Sequence, residues 1–121
     1  MEDELDYVEL AVAEFKDGLG WFAERLPEVG RQFISYANAC FQDGELSELT
    51  KHLIALGIAV QIQDEYCILF HGQNALRLGA TEKQILETLG VCGAFGGGAA
   101  LSQAVTLVRD LFDSQSRVEA H

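Results

Sequence analysis

From Leu5 almost to its carboxyl end, this chain places apolar residues at intervals of three and four, and a single proline, Pro27, interrupts them. That period matches one face of an α-helix, so the chain is constrained to an all-α fold with few irregular connections. The first stripe, Leu5, Val8, Val12, Phe15 and Leu19, predicts a helix over about 5–22 with acidic residues opposite. After Pro27, Val29, Phe33, Ile34 and Ala37 predict a second helix closing near Gly44, with Phe41 anchoring its last turn. Ser47 is placed to cap a third. Its run from Leu49 to Ile62 is apolar on more than one face, the pattern of a central helix or one buried between copies of the chain. A fourth begins at Gln63 or Asp64 and ends at Gly79, where the absent side chain permits a left-handed cap. Thr81 and Gln84 have capping-box spacing for a fifth. Leu101 to Phe112 supply the last helix, and the polar stretch 113–121 is expected to be a flexible tail.

Length and charge narrow the function. A chain of 121 residues can bury a real core but leaves little for a second domain, so 1–121 is read as one domain. Nineteen acidic against 8 basic residues give a charge of -11, which repels a phosphate backbone and makes nucleic acid a poor partner. No apolar run reaches the roughly 20 residues that span a bilayer, and the acidic start Met1-Glu2-Asp3-Glu4 is unlike a signal peptide. A soluble, cytoplasmic protein away from membranes is the expectation. Cys40, Cys67 and Cys92 are odd in number and widely spaced, unlike a secreted disulfide framework. The glycine run Gly93–Gly98 is not followed by the lysine and hydroxyl residue of a phosphate loop; close helix packing is its expected use, and no cofactor is implied.

One constellation carries chemistry. With Asp64 as the amino-terminal cap, Cys67 is the third residue of its helix, where a free backbone amide and the helix dipole favour a thiolate. Asp64 and Glu65 oppose that ionisation with negative charge. His71 returns to the face of Cys67 one turn later, which pairs a nucleophile with a base. If the chain turns back at Gln63, His52 lies about 17 Å before the corner and His71 about 12 Å after it, at about 1.5 Å per residue. Cys67 is only about 6 Å from that corner, so His52 is better placed to orient His71 than to touch the sulfur. The four side chains include zinc-type donors, but this separation opposes a closed site, and no metal is expected. Taken singly, each residue also fits a core cysteine, a buried hydrogen-bonded histidine or a simple cap. Cys67 is nonetheless expected to be alkylated more readily than Cys40 or Cys92 near neutral pH.

The segments Leu49–Leu56, Asp64–His71 and Ala75–Thr81, followed by Ile85–Leu89 and the glycines Gly93–Gly98, resemble the carboxymuconolactone decarboxylase family. The branch they resemble is that of alkyl hydroperoxidase D, over about residues 24–112. The resemblance implies a compact helical fold assembled as a homotrimer or homohexamer. Hydroperoxidase-like members carry Cys-x-x-Cys-x-x-x-His, preceded by a glutamate in the facing helix. Matched to this chain, the first cysteine falls at Asp64, the second at Cys67, the histidine at His71 and the glutamate at His52. The implied catalytic set is therefore Cys67, His71, His52 and Asp64, in a one-cysteine peroxidase or thiol oxidoreductase with an antioxidant role. A peroxide would oxidise Cys67, His71 would manage protons, and an external thiol would act as reductant. Two alternatives stay open. One is a carboxymuconolactone-type decarboxylase, for which Arg31 and Arg77 are the candidate anion clamp. The other is a noncatalytic oligomeric protein that binds a ligand.

Overall fold

Four helices of this chain begin where a side chain accepts from a backbone donor, and α2 begins where proline removes the need for one. The computed structural model describes residues 4–120; Met1–Asp3 of the acidic start and His121 of the expected tail lie outside the described residues. Helix α1, Tyr7–Arg25, opens on a capping box in which Glu9 N donates to Asp6 at 2.8 Å and Asp6 N donates to Glu9 at 3.0 Å. It outruns the expected end near Phe22 and stops only before Pro27, whose ring disfavours a helical residue ahead of it. Pro27 then occupies the first position of α2, Pro27–Cys40, where a missing N–H costs nothing. Ser47 caps α3, Glu48–Ile62, and Asp64 caps α4, Glu65–Arg77. Thr81 and Gln84 form the expected capping box of α5, Glu82–Gly96. Gly97, at φ 96°, makes the break before α6, Gly98–Glu119. A side chain is strained in that backbone region, so the glycine run serves as a helix corner. Among the described residues there is no strand, as the all-α expectation required.

The last helix corrects the sequence reading. Residues 113–119, expected to be a flexible tail, continue α6. Ser114 is buried, and Arg117 donates to Glu9 at 2.7 Å and lies 3.6 Å from Asp6, fastening the final turns to the start of α1. The polar composition that looked like a solvated end supplies an ion pair whose partner is at the other end of the chain.

Gln63, in left-handed conformation at φ 57° and ψ 44°, turns α3 back along α4, and these two helices make the most extensive packing in the protein. α6 covers α4, α5 lies across α3 and α6, and α1 packs on α4 and α6. Leu56, Ile68, Leu69, Ile85 and Leu111 are fully enclosed between them. Each such side chain contributes about 1.5–3 kcal/mol relative to exposure. Helix α2 packs chiefly on α1. Opposite this core, Ile54, Ile58 and Ile62 of α3 and Val91 and Phe95 of α5 are exposed around a groove of about 600 Å³. Among the described residues, no helix is long and apolar enough to cross a membrane.

Candidate functional site

The corner at Gln63 sets His52 of α3 beside His71 of α4, with their Nδ1 atoms 3.0 Å apart. This is the cross-helix pair expected from the spacing. His52 is 5% exposed, and one face of Phe41, the residue that ends α2, stacks on both imidazoles. Its ring centroid lies 4.6 Å from that of His52 and 5.2 Å from that of His71, at interplanar angles of 23° and 19°. Phe70 meets His71 edge-on at 5.0 Å. Glu48, one turn before His52, brings a carboxylate within 3.6 Å of its Nε2.

These contacts assign the tautomers. Burial lowers the pKa of His52, and it lowers that of His71 to about 4, with the neighbouring His52 charge acting the same way, so both rings are neutral at pH 7. Two neutral rings in Nδ1–Nδ1 contact need one donor and one acceptor. The Glu48 carboxylate favours a proton on His52 Nε2, which makes His52 Nδ1 the acceptor and His71 Nδ1 the donor. The Nε2 lone pair of His71 is then free to take a proton. The contacts thus run in series from the partly exposed Glu48 carboxylate through His52 to His71. The carboxylate that the family pattern places at position 52 is supplied here one turn earlier.

Asp64 caps α4 by accepting from Cys67 N at 3.2 Å, which sets its carboxylate beside the start of the helix that carries the thiol. Burial first, then the neighbouring Asp64 carboxylate, push the Cys67 thiol up to about 11. The helix dipole is outweighed. The alkylation order expected from sequence is therefore opposed by the structure: Cys40 is exposed, while Cys67 is half-buried and protonated. Asparagine at position 64 keeps an oxygen for the cap but removes the charge. Since burial, the leading cause, stays, Asp64→Asn is expected to raise Cys67 alkylation at pH 7.5 about tenfold, one pKa unit. Peptide-resolved labelling reads this directly, and an unchanged rate would exclude Asp64 as the restraint.

Cys67, His52, His71, Glu48 and Asn74 line one cavity of about 460 Å³. Its other walls are largely apolar, from Phe15 and Leu19 of α1, from Phe33, Ile34, Ala37 and Phe41 of the α2 segment, and from Phe70. Asp64 is not part of the lining and touches the site only through its cap contact with Cys67 N. Among the described residues, no lysine or arginine lines the cavity. Arg31 pairs with Glu28 on the surface and Arg77 ends α4 exposed, so neither forms the anion clamp considered above. Among the described residues, no three metal-type donors converge. Sequence reasoning missed the roles of Phe41 and Glu48. The four-residue step from Glu48 to His52 was a usable signal; nothing local marked Phe41.

The model of the carboxymuconolactone decarboxylase family matches residues 27–110. An uncharacterised protein of Cupriavidus necator is 36% identical over 87 residues, 72% of this chain and 77% of that protein. An uncharacterised protein of the cox locus of Paracoccus denitrificans is 39% identical over 72 residues, 60% of this chain and 65% of that one. Among solved structures, a carboxymuconolactone decarboxylase family protein from Legionella pneumophila superposes with a TM-score of 0.83 at 34% identity, covering 91% of this chain and 98% of that one. A Thermotoga maritima protein of the same family, whose description suggests involvement in an antioxidative response, gives a TM-score of 0.77 at 22% identity, over 89% of this chain and 95% of its own. The fold is consistent with the alkyl hydroperoxidase D-like branch. On this match, which takes in α2 to α5 and most of α6 together with Cys67, His71 and His52, the chain belongs to the carboxymuconolactone decarboxylase family.

Proposed function

We propose that the protein is a one-cysteine, thiol-dependent peroxide reductase acting on hydroperoxides with an apolar body. The observation that carries this reading is the shared cavity, in which Cys67 and the part-buried His52–His71 pair face an otherwise largely apolar space. The Cys67 sulfur attacks the outer peroxide oxygen, an S–O bond forms, the O–O bond breaks, and the sulfenic acid and an alcohol result. A thiol near 11 cannot hand its proton to an imidazole near 4 as a separate step, since that transfer is uphill by about 9 kcal/mol. The reacting species is instead the small thiolate fraction, whose proton is lost to solvent, and the departing alkoxide takes a proton from a water held by the His71 Nε2 lone pair, without a standing imidazolium. Cys40 and Cys92 do not line the cavity. An external thiol therefore condenses with the sulfenic acid, releasing water, and a second one releases the mixed disulfide and restores Cys67. The Thermotoga maritima relative's description points the same way. A carboxylated lactone fits less well, because its negative charge would meet no cation here.

Purified protein, cumene hydroperoxide and a small thiol test this. Expected is Cys67 oxidation by peptide mass and slow turnover that rises about tenfold per pH unit from 7.5 to 9.5, as thiolate accumulates. Neither should survive Cys67→Ser. No Cys67 oxidation, or peroxide loss equal to that of Cys67→Ser, would favour a binding protein or a decarboxylase.

The exposed α3–α5 groove supports a second part of the proposal, self-association into the trimer or hexamer expected from the resemblance. Among the described residues its lining carries no charged side chain although the chain bears -11, so a second copy can cover it without bringing acidic groups together. Light scattering should give an oligomer that Ile58→Glu dissociates; a monomer at every concentration refutes this.

A further inference from the structure

We propose that Phe41 is a positioning residue of the histidine pair, its ring spanning both imidazoles and holding their Nδ1 atoms in line. This rests on the functional reading above only in assigning the pair a use; the geometry is independent of it. An imidazole packed among aliphatic side chains can rotate about its Cβ–Cγ bond, and its Nδ1 then leaves the plane of its partner. Here the flat faces remove that freedom. Phe41 lies within 23° of parallel to His52 and within 19° of parallel to His71, whereas the two imidazoles are tilted 40° to each other. One ring thus fits two that differ from each other, as a template between them must. Phe70 closes the edge of His71, leaving rotation opposed from two sides.

The place of Phe41 in the chain fits this role. It caps α2 at φ -95° and ψ 4°, immediately before the connection to α3, so its ring is delivered to the site by the helix end and not by a flexible loop tip. It also stands between the histidines and the α2 side of the cavity. The charged and titratable groups around His71 are Glu48 and His52 on α3, Asp64 and Cys67 at the start of α4, and Lys16 of α1, which lies over Phe70. None of them is altered by changing Phe41. With the ring gone, water reaches the imidazoles, and the titration of His71 should move up from about 4.

The test is proton NMR on the intact protein, in which an Nδ1–H held between two nitrogens and shielded from water gives a slowly exchanging resonance far downfield. Phe41→Leu keeps an apolar side chain of similar size without a flat face. It is expected to lose this resonance and to raise the His71 titration midpoint, while far-UV circular dichroism stays native. Phe41→Tyr, which keeps the ring, is expected to retain both native features. The proposal is overturned if folded Phe41→Leu keeps the resonance and midpoint, or if Phe41→Tyr loses them. Absence of peroxide turnover with the resonance still following the ring would remove the peroxidase reading and leave the positioning role standing.

Discussion

Lowering the pH from 6.5 to 4 is expected to remove about 3 kcal/mol of folding stability through His71 alone. Its pKa falls from 6.5 in the unfolded chain to about 4 in the folded one. Above pH 6.5 neither state carries the proton, and the full stability is present. Below it the unfolded chain takes up a proton that the folded chain refuses, so stability declines by about 1.4 kcal/mol per unit until the folded histidine also protonates. His52, lowered chiefly by burial, acts in the same direction. Protonation of carboxylates below about pH 5 works the other way, since it relieves the repulsion of a chain at -11. Urea unfolding of the native protein and of His71→Leu across this window separates the two effects, because the carboxylates are common to both. The variant starts less stable, having left His52 Nδ1 without its donor, but its pH slope should be shallower by most of the 3 kcal/mol. Parallel slopes would mean that His71 is not held neutral by the fold.

The parts of this site that were legible in the sequence are those set by local geometry. Ser47, Asp64 and Thr81 accept from the third residue beyond, as a cap must, and each does so here. The His52–His71 contact needed only the helical rise and one assumed corner, and Gln63 supplies that corner. What escaped was set by distance along the chain or by opposed effects of similar size. Phe41 reaches the histidines because α2 is held against α1, a packing that no spacing within 27–44 reveals. Arg117 meets Glu9 from 108 positions away, and without that partner the segment 113–119 has the composition of a tail. At Cys67 the dipole favours the thiolate and Asp64 opposes it; burial, invisible in sequence, decides for the protonated thiol.

Since the cavity depends on where α2 sits, the residue that sets the α1–α2 distance should matter more than its chemistry suggests. That residue is Gly30. It is buried, and a Cβ placed on it would fall 2.6 Å from Ala23 Cα and 2.7 Å from Ala23 Cβ, so the obstacle includes backbone that no rotamer can clear. Gly30→Val is therefore expected to cost about 3 kcal/mol, at the upper end for forced overpacking, and valine adds little helix propensity to offset it. Gly18 in α1 makes the contrast, because its added Cβ meets nothing within 4 Å. Gly18→Ala should stabilise by up to about 1 kcal/mol through helix propensity alone. Thermal and urea unfolding of the two variants should move in opposite directions. Equal stability of Gly30→Val and the native protein would show that α1 and α2 separate without penalty. If they separate at a cost, Phe33, Ile34, Ala37 and Phe41 move away with α2, and the site changes even where the fold survives. The His71 midpoint in folded Gly30→Val should then rise from about 4, because the walls that keep water from the imidazole are carried by the displaced helix.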